Sequence, residues 1–394
     1  MNRRVVITGI GMLCSIGTNK IEVLNALISE KSGLKKSKQC IKYDELKDVK
    51  VGECEFNTKE FTDIQSLERL EIMAMKAIDE ALIDSRLTID DIEKKEDRAA
   101  LSLSTSLAGS SQMLKTLEEP EISDLWSLHS RRFMSRIMNQ YKVKGSCYTT
   151  SSACAAGTAG AGIGFDLVKN NEADIVIVGG TDHLSMFSVF GFYSLNTLSS
   201  DECKPFDVNR DGINIGEGSA FFIFEELECA RNRGVDRFYG EVLGYGLAND
   251  AYHMTSPNPS GEGAYQVMKA ALEDSGIGKE EVDYINAHGT GTKANDQMEI
   301  SAINRLFQEN VKVSSTKSRV GHCLGAAGSI EIGICLFALS KDIYPHTKNS
   351  YDFIEEGKKM LDRETSKKQV NCILSNSFAF AGNLASIVIK KFTD

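Results

Sequence analysis

The sequence predicts an α/β protein whose two halves share a single core. Three features carry this. Short β-branched runs alternate with longer segments of helical spacing, the pattern of buried, largely parallel sheets flanked by helices. The second half repeats the element order of the first. Only 5 prolines occur in 394 residues, and no low-complexity linker separates the halves.

From the N-terminus, "RRVVITGIG", "DRAALSLSTS", "GSCYTTSSA", "ADIVIVGGTD" and "SAFFIFEE" have the composition of strands. So do "RFYGEVLGYG", "VDYINAHGTG", "VKVSSTKSR", "CILSNSFAF" and "LASIVIKKF" in the second half. Helical spacing marks residues 65–84, 154–169, 264–275, 295–308 and 325–341. The stretch "SCYTTSSACAAGTAGAGIGFDLV" has a counterpart in "VSSTKSRVGHCLGAAGSIEIGICLF". Each runs from a polar strand through a turn into a helix that opens on Ala and Gly. Each is followed later by an apolar strand ending in small residues, the mark of an internal duplication. Cys154 and His322 then fall at nearly corresponding turns. The chain is expected to be one 1–394 domain with halves at about 1–236 and 237–394.

A net charge of −10 argues against a general nucleic-acid or membrane-surface binder, while leaving room for a local basic patch facing an acidic partner. The 10 cysteines show no CxxC or Cys/His zinc spacing, so no metal site is expected and a reducing, cytoplasmic setting fits best. Two arginines before an apolar run mimic a secretory leader, but that run is short, β-branched and broken by Gly9 and Gly11. It is expected to be the first strand. No run approaches the roughly 18–20 apolar residues of a membrane span, so no membrane insertion is expected.

Gly157, Gly160, Gly162 and Gly164 follow Cys154, and each lowers helix propensity by up to ~1 kcal/mol relative to alanine. Close helix packing or the approach of a slender substrate has to offset that. At the mouth of such a helix, free backbone N–H groups favour a Cys154 thiolate and can form part of an oxyanion hole. A lone cysteine is more often inert, so partners are needed. His288 in "NAHGTGTKANDQMEI" and His322 in "SSTKSRVGHCLGAAGSIE" both lie on Gly-flanked strand-to-helix turns, where open α/β folds collect their active sites. Lys317 precedes His322 and Glu331 follows it.

These motifs, with "LSSDECKPFDVNRDGINIGEGSAFFIFEE" and "SNSFAFAG", resemble the β-ketoacyl-acyl-carrier-protein synthases, elongating condensing enzymes of the thiolase superfamily, over essentially the whole chain. The resemblance implies a thiolase-like duplicated fold, layered αβαβα, with two mixed, mostly parallel sheets. It implies an acyltransferase performing decarboxylative condensation, with Cys154 as nucleophile and His288 and His322 as hydrogen-bond donors to an enolate. Lys317 supports the histidines with Glu331 as its ion-pair partner; a purely structural salt bridge is the other reading. The N–H groups of Cys154 and Phe380 form the oxyanion hole. Asp296 and Glu299 orient the His288 turn. Phe380 gates the acyl pocket, Phe192 lines it and Thr105 stands near its floor. Lys204, Arg131 and Arg132, with Arg136 beside them, are candidates for carrier-protein contact or simply solvated charges.

No cofactor is implied, because substrates arrive on the phosphopantetheine arm of an acyl carrier protein. The family pattern is a two-fold dimer, either with itself or with a related subunit. The gating loop departs from the family's GFGGTN, reading "AFAGNL", and "SLSTSL" at 102–107 replaces a Gly-rich segment. Alanines at 379 and 381 are expected to stiffen the loop. Fatty-acid elongation and type II polyketide or polyene synthesis therefore both stay open. Two competing readings are a degradative thiolase, which needs a second cysteine near the C-terminus, and a non-catalytic chain-length partner, which lacks the nucleophile.

Overall fold

The computed structural model of the protein describes residues 3–58, 67–110 and 129–394. Ten strands form its main sheet: β1 (Val5–Cys14), β2 (Ala99–Ser104), β3 (Cys147–Thr150), β4 (Ile175–Asp182), β5 (Gly218–Glu226), β6 (Gly240–Asn249), β7 (Tyr284–Asn286), β8 (Lys312–Ser314), β9 (Cys372–Phe378) and β10 (Asn383–Lys390). Their spatial order is β3-β2-β4-β5-β1-β6-β10-β9-β7-β8. The duplication is plain in that order, since adding five to each label of 3-2-4-5-1 gives 8-7-9-10-6. Within each half the first four strands in sequence run one way and the fifth, β5 or β10, runs the other. The two expected sheets meet along β1 and β6, where Val5, Val6 and Ile7 pair with Val242, Glu241 and Gly240. They form one continuous ten-stranded sheet.

Among the described helices that cover it are α1 (Arg69–Ser85), α2 (Ser130–Gln140), α3 (Ala156–Lys169), α4 (Met186–Ser194), α5 (Glu262–Ser275), α6 (Lys293–Phe307) and α7 (Ala327–Lys341). α3 and α7 pack on one another and on strands of both halves, so they form the middle layer. α1 lies outside β1 and β5, while α5 lies outside β6 and β10 with α6 against it. The middle helices are almost wholly buried, which is why their sequences show little amphipathic alternation. Residues 324–341 do have the length and hydropathy of a membrane span, contrary to the sequence expectation, and 89% of that window is buried inside the fold. Its apolar character serves the core.

The small residues of α3 prove to be packing devices. A Cβ at Gly157 would come within 2.6 Å of the Ser329 backbone nitrogen on α7, and one at Gly164 would strike Val178 of β4. Thr158 on the same helix shares a 2.8 Å hydrogen bond with Ser377 of β9, tying the halves together. Gly157→Val is expected to force α3 from α7 and destabilise the protein by about 1–3 kcal/mol. Urea denaturation checks this, and an unchanged midpoint would mean the helix contact is looser than described.

α2 and α4 were not anticipated. In α4, the run "MFSVFGFYS" is rich in aromatic and β-branched residues that favour strands, and tertiary packing overrides that preference. Its start is set by Ser185, whose side chain accepts a hydrogen bond from the Phe187 N–H at 3.2 Å.

Candidate active site

Each half delivers its chemical groups just beyond the C-terminal ends of its strands. Cys154 follows β3, in a short helical turn (Ala153–Ala155) ahead of α3. The second half has the same device after β8, a turn at Leu324–Ala326 ahead of α7. Ala153 and Leu324 both adopt left-handed backbone, with φ of 50° and 51°. The strict counterpart of Cys154 is therefore Gly325, and His322 lies level with Ser151 across the pseudo-symmetry. Position 325 has no room for a side chain, because a Cβ there would meet the Ser106 backbone nitrogen at 2.6 Å. His288 follows β7, on a turn where Gly289 and Gly291 have φ of 34° and 85°.

Two carboxylates fasten the His288 turn. Glu299 of α6 accepts from the backbone N–H groups of His288 and Gly289, both at 2.8 Å. Asp296 accepts from the N–H groups of Thr290 at 3.0 Å and Phe206 at 2.7 Å. Neither carboxylate lines the cavity around Cys154, so both act by orienting the turn. Burial pushes the Glu299 carboxyl up to about 7, against the pull of these N–H donors.

Cys154, His288 and His322 line one cavity of about 180 Å³. The two imidazoles meet edge to face, with ring centroids 5.4 Å apart. Lys317 donates to the His288 carbonyl at 2.6 Å, lies 3.3 Å from His288 Nδ1 and forms a buried ion pair with Glu331. Because an ammonium has no lone pair, His288 Nδ1 accepts and its Nε2 carries the hydrogen. His322 Nδ1 accepts from the Leu324 N–H at 3.1 Å, which fixes the same tautomer. Burial, and then the Lys317 charge, holds both histidines well below the usual imidazole range. The site thus presents two neutral imidazoles with Nε2–H free to donate. Burial pushes the Glu331 carboxyl up to about 7, with the Lys317 ammonium opposing it.

The thiolate expected at Cys154 is not the resting form. Burial pushes its thiol up to about 12, outweighing the opposing charge of Lys317. The helix start is present, and no side chain caps the first turn of α3, but the sulfur is desolvated enough to keep its proton.

Phe192 and Phe380 stack at 5.5 Å between centroids, with an interplanar angle of 27°. Together with Cys154 they border a second cavity of about 260 Å³, walled by Leu107, Phe187, Leu195 and Leu324. The stacked pair stands between a chamber holding the histidines and a second, wholly apolar chamber beyond the sulfur. Thr105 was expected at the floor of this apolar space and lines neither cavity. Its hydroxyl donates to Asp182 at 2.6 Å, and the neighbouring Ser106 and Leu107 face the apolar chamber instead.

Asp182 was missed by sequence reasoning. Besides Thr105 it accepts from the N–H groups of Ser106, Leu107 and Gly325, joining the residues that follow β2 to the Leu324–Ala326 turn of the second half. A carboxylate closing the otherwise apolar "ADIVIVGGTD" was the available clue. Asn376 was also missed; it donates to Glu299 at 3.3 Å.

The basic candidates separate. Lys204 lies beside Gly291, next to the histidine turn. Arg131, Arg132 and Arg136 belong to α2 and line neither cavity at Cys154. Arg132 borders a separate recess with Glu68, and Arg136 pairs with Glu71 of α1 at 2.7 Å.

In the gating loop, Ala381 adopts φ 60°, ψ 17°, a conformation that suits glycine. It is held there by an N–H bond to the Met254 carbonyl at 2.7 Å and by the Asn249 side chain on its own carbonyl at 2.9 Å. Ala379 keeps extended backbone at φ −130°, so only one of the two alanines is strained. Ala381→Gly is expected to stabilise the protein by up to about 1 kcal/mol. Thermal melting tests this; a lowered melting temperature would show that the strain is imaginary.

The second cysteine a thiolase requires is lacking: Phe378, Ala379 and Phe380 stand at the corresponding place, while Cys372 and Cys323 are buried elsewhere. Comparison with known proteins agrees. The chain matches the family model "Beta-ketoacyl synthase, N-terminal domain" over residues 2–230 and "Beta-ketoacyl synthase, C-terminal domain" over residues 239–350. A 3-oxoacyl-[acyl-carrier-protein] synthase 2 of Coxiella burnetii is 32% identical, across 100% of this chain and 99% of that protein. One from Staphylococcus aureus (strain COL) is 33% identical, across 99% of each. Among solved structures, the ishigamide ketosynthase/chain length factor superposes with a TM-score of 0.91 at 30% identity, covering 100% of both chains. A type II polyketide synthase acyl-carrier protein in complex with its ketosynthase gives a TM-score of 0.91 at 27% identity, again covering 100% of both chains.

Proposed function

Since the chain belongs to the beta-ketoacyl synthase family, we propose that it is a 3-oxoacyl-[acyl-carrier-protein] synthase, extending an acyl group on Cys154 by a malonyl unit with loss of CO2. The observation that carries this is the single cavity shared by Cys154 and two neutral imidazoles, each with Nε2–H directed away from its anchored Nδ1.

Cys154 first gives up its proton and attacks the thioester carbonyl of an acyl carrier protein. The carrier's pantetheine thiol leaves, and the acyl group remains on the sulfur. Sulfur-to-sulfur exchange suits this step, because attacking and leaving groups are similar in basicity. The acyl chain passes the Phe192–Phe380 partition into the apolar chamber. A malonyl thioester then enters the chamber that holds the histidines. As its carboxylate departs as CO2, the electron pair of the broken C–C bond forms an enolate, whose oxygen accepts hydrogen bonds from His288 and His322. The enolate carbon attacks the acyl-Cys154 carbonyl, and backbone N–H groups of Cys154 and Phe380 hold the oxyanion. Collapse expels the Cys154 thiolate and releases a 3-oxoacyl product on the carrier. Lys317 works through His288, keeping its ring in the donating tautomer, and Glu331 holds Lys317.

The substrates supply their own phosphopantetheine arms, and the partner is an acidic acyl carrier protein. Lys204, beside the histidine turn, is the better placed of the basic candidates for contacting it. The ten cysteines are all free, in keeping with action in a reducing cytoplasm. The test is to offer the protein acyl carrier proteins bearing saturated, unsaturated and aromatic chains, and to follow loading on Cys154 by intact mass. Malonyl carrier protein is then added and CO2 and 3-oxoacyl product are measured. No loading from any member of the panel defeats the proposal.

A second reading is favoured by the ishigamide ketosynthase/chain length factor, similar over 100% of both chains. In it this chain is the catalytic half of a heterodimer. Tyr148, Phe187, Tyr193 and Leu195 are each exposed by 41–51%, apolar surface suited to either an identical or a related subunit. The oligomeric state of the purified chain separates the two: a stable homodimer with condensing activity removes the need for a second gene product.

A further inference from the structure

Most thiols of this chain are out of reach of solvent. Eight of the ten cysteines are buried, Cys154 among them, and only Cys147 and Cys229 are half-exposed. Cys147 lies on β3, where its thiol faces the Gly145 carbonyl at 3.5 Å and burial pushes it up to about 11. Cys229 has a different setting. It sits in the short helix Leu227–Asn232 that follows β5, with its backbone N–H donating to Glu226 at 2.8 Å. Its sulfur accepts from Lys95 Nζ at 3.0 Å, and Lys95 directly follows the helix Ile89–Lys94. The Lys95 side chain is 32% exposed, so a small solute reaches the pair from solvent.

The surrounding charges keep this lysine positive. Asp174, just before β4, is shared by Arg3 at 2.8 Å, Arg98 at 2.7 Å and Lys95 at 3.5 Å, so one carboxylate serves three cations. Burial disfavours the Lys95 charge, but the contacts with Cys229 and Asp174 outweigh it and hold the ammonium above its usual range. A thiol reacts as its thiolate, and an ammonium in hydrogen-bond contact is the kind of group that stabilises that form. A sulfur and an amine nitrogen thus stand in contact, half open to water, on segments far apart in sequence.

The geometry points to Cys229 and Lys95 as a peroxide-responsive modification site: hydrogen peroxide oxidises the sulfur, and the adjoining amine closes on it in a covalent sulfur–nitrogen bridge. In the ion-paired form the Cys229 thiolate attacks one peroxide oxygen and the O–O bond breaks. The departing hydroxide takes a proton from the Lys95 ammonium and leaves as water. Cys229 is now a sulfenic acid, oxidised by two electrons, and Lys95 is a neutral amine beside it. Nζ then attacks the sulfur, the S–OH bond breaks, and the hydroxide leaves as a second water with a proton from the nitrogen. The peroxide is reduced to water, and the chain loses two hydrogens in all. A small thiol reverses the bridge by attacking the sulfur and freeing the amine; a second thiol then releases Cys229.

The test treats the full-length protein with an equivalent of hydrogen peroxide and reads intact mass and tryptic peptides. Wild type should lose about 2 Da, resist cleavage after Lys95 and yield one joined peptide pair containing positions 95 and 229, all reversed by dithiothreitol. Lys95→Arg keeps the charge but offers a poor nucleophile. It should oxidise at Cys229 within about threefold of the wild-type rate and stop at the sulfenic acid, a gain of about 16 Da that dimedone traps. Lys95→Met removes the charge and should slow oxidation of Cys229 by about tenfold or more. Both substitutions alter a partly exposed side chain, and circular dichroism checks that the fold is kept. A wild-type protein that oxidises another thiol while Cys229 stays reduced, or that accumulates Cys229 sulfenic acid without the bridge, overturns the inference. So does a Lys95→Met variant that reacts at the wild-type rate. No readout involves acyl loading, so this site stands or falls apart from the condensing reaction.

Discussion

Cys154→Ala is expected to abolish acyl loading altogether and to lower condensation by at least about a thousandfold, the scale seen when a covalent nucleophile is removed. Two features make this the largest effect in the molecule. No other thiol borders both chambers: Cys203 and Cys323, the buried cysteines nearest in sequence to the site elements, line neither. And the substitution removes one buried sulfur while leaving the packing of the Ala153–Ala155 turn intact, so the loss is chemical. The variant should melt close to wild type, which circular dichroism verifies. It should also continue to decarboxylate malonyl carrier protein, because the His288–Lys317–Glu331 and His322–Leu324 contacts do not involve the sulfur. Persisting acyl adducts on the variant would sink the nucleophile assignment. The buried, protonated resting thiol adds a pH condition. With the thiol pushed up to about 12, the reactive thiolate is a minor species at neutrality, and loading by wild type should accelerate as pH rises through the neutral range. A loading rate that is flat above pH 6 would mean that approach of the carrier limits it.

Much of this site was legible because its residues lie on turns with strong local signatures. Gly289 and Gly291 bracket a turn of positive φ, so "NAHGTGTKAND" advertised His288, and Gly321 did the same for His322. The α/β alternation and its duplication were legible too, since β4 and β9 each open on an apolar run, Ile175–Val178 and Cys372–Leu374, and pass into small or polar residues. The glycines of α3 were ambiguous in sequence, and the structure resolves them as contacts to α7 and β4. What stayed hidden depends on distant chain segments. Asp182 gathers N–H groups from residues 106, 107 and 325, a convergence no local pattern encodes. The same holds for Thr105, whose hydroxyl turns to Asp182 and leaves the chamber wall to its neighbours. The charge state of Cys154 was misjudged because a helix start is a local feature and desolvation is a global one. α4 was overlooked because its aromatic residues favour strands, yet it supplies one whole wall of the acyl chamber.

His288→Ala and His322→Ala are each expected to lower malonyl decarboxylation by about a hundred- to a thousandfold while leaving acyl loading largely intact. Both rings are neutral donors, so each removes one preorganised hydrogen bond to the developing enolate oxygen. The two losses should differ in their side effects. His322 Nδ1 meets only the Leu324 N–H, and its removal frees one backbone donor beside a water-accessible cavity. His288 is tied to Lys317, which is itself 1% exposed and ion-paired with Glu331. Deleting that ring strips a buried ammonium of one contact, so His288→Ala should also be the less stable protein in urea. The charge state gives the sharper test. Burial and Lys317 depress both imidazole pKa values well below 6.5, so protonation of either ring requires pH far under the usual histidine range. Decarboxylation by wild type should therefore show no inflection near pH 6.5 as pH is lowered, and should fall only when acid finally charges the rings and breaks the Lys317–His288 contact by like-charge repulsion. Replacing Lys317 by methionine removes that positive charge and should move the acid limb upward toward 6.5. A wild-type profile that rises on acidification through pH 6.5 would require an imidazolium donor, which the Lys317 ammonium beside His288 Nδ1 forbids.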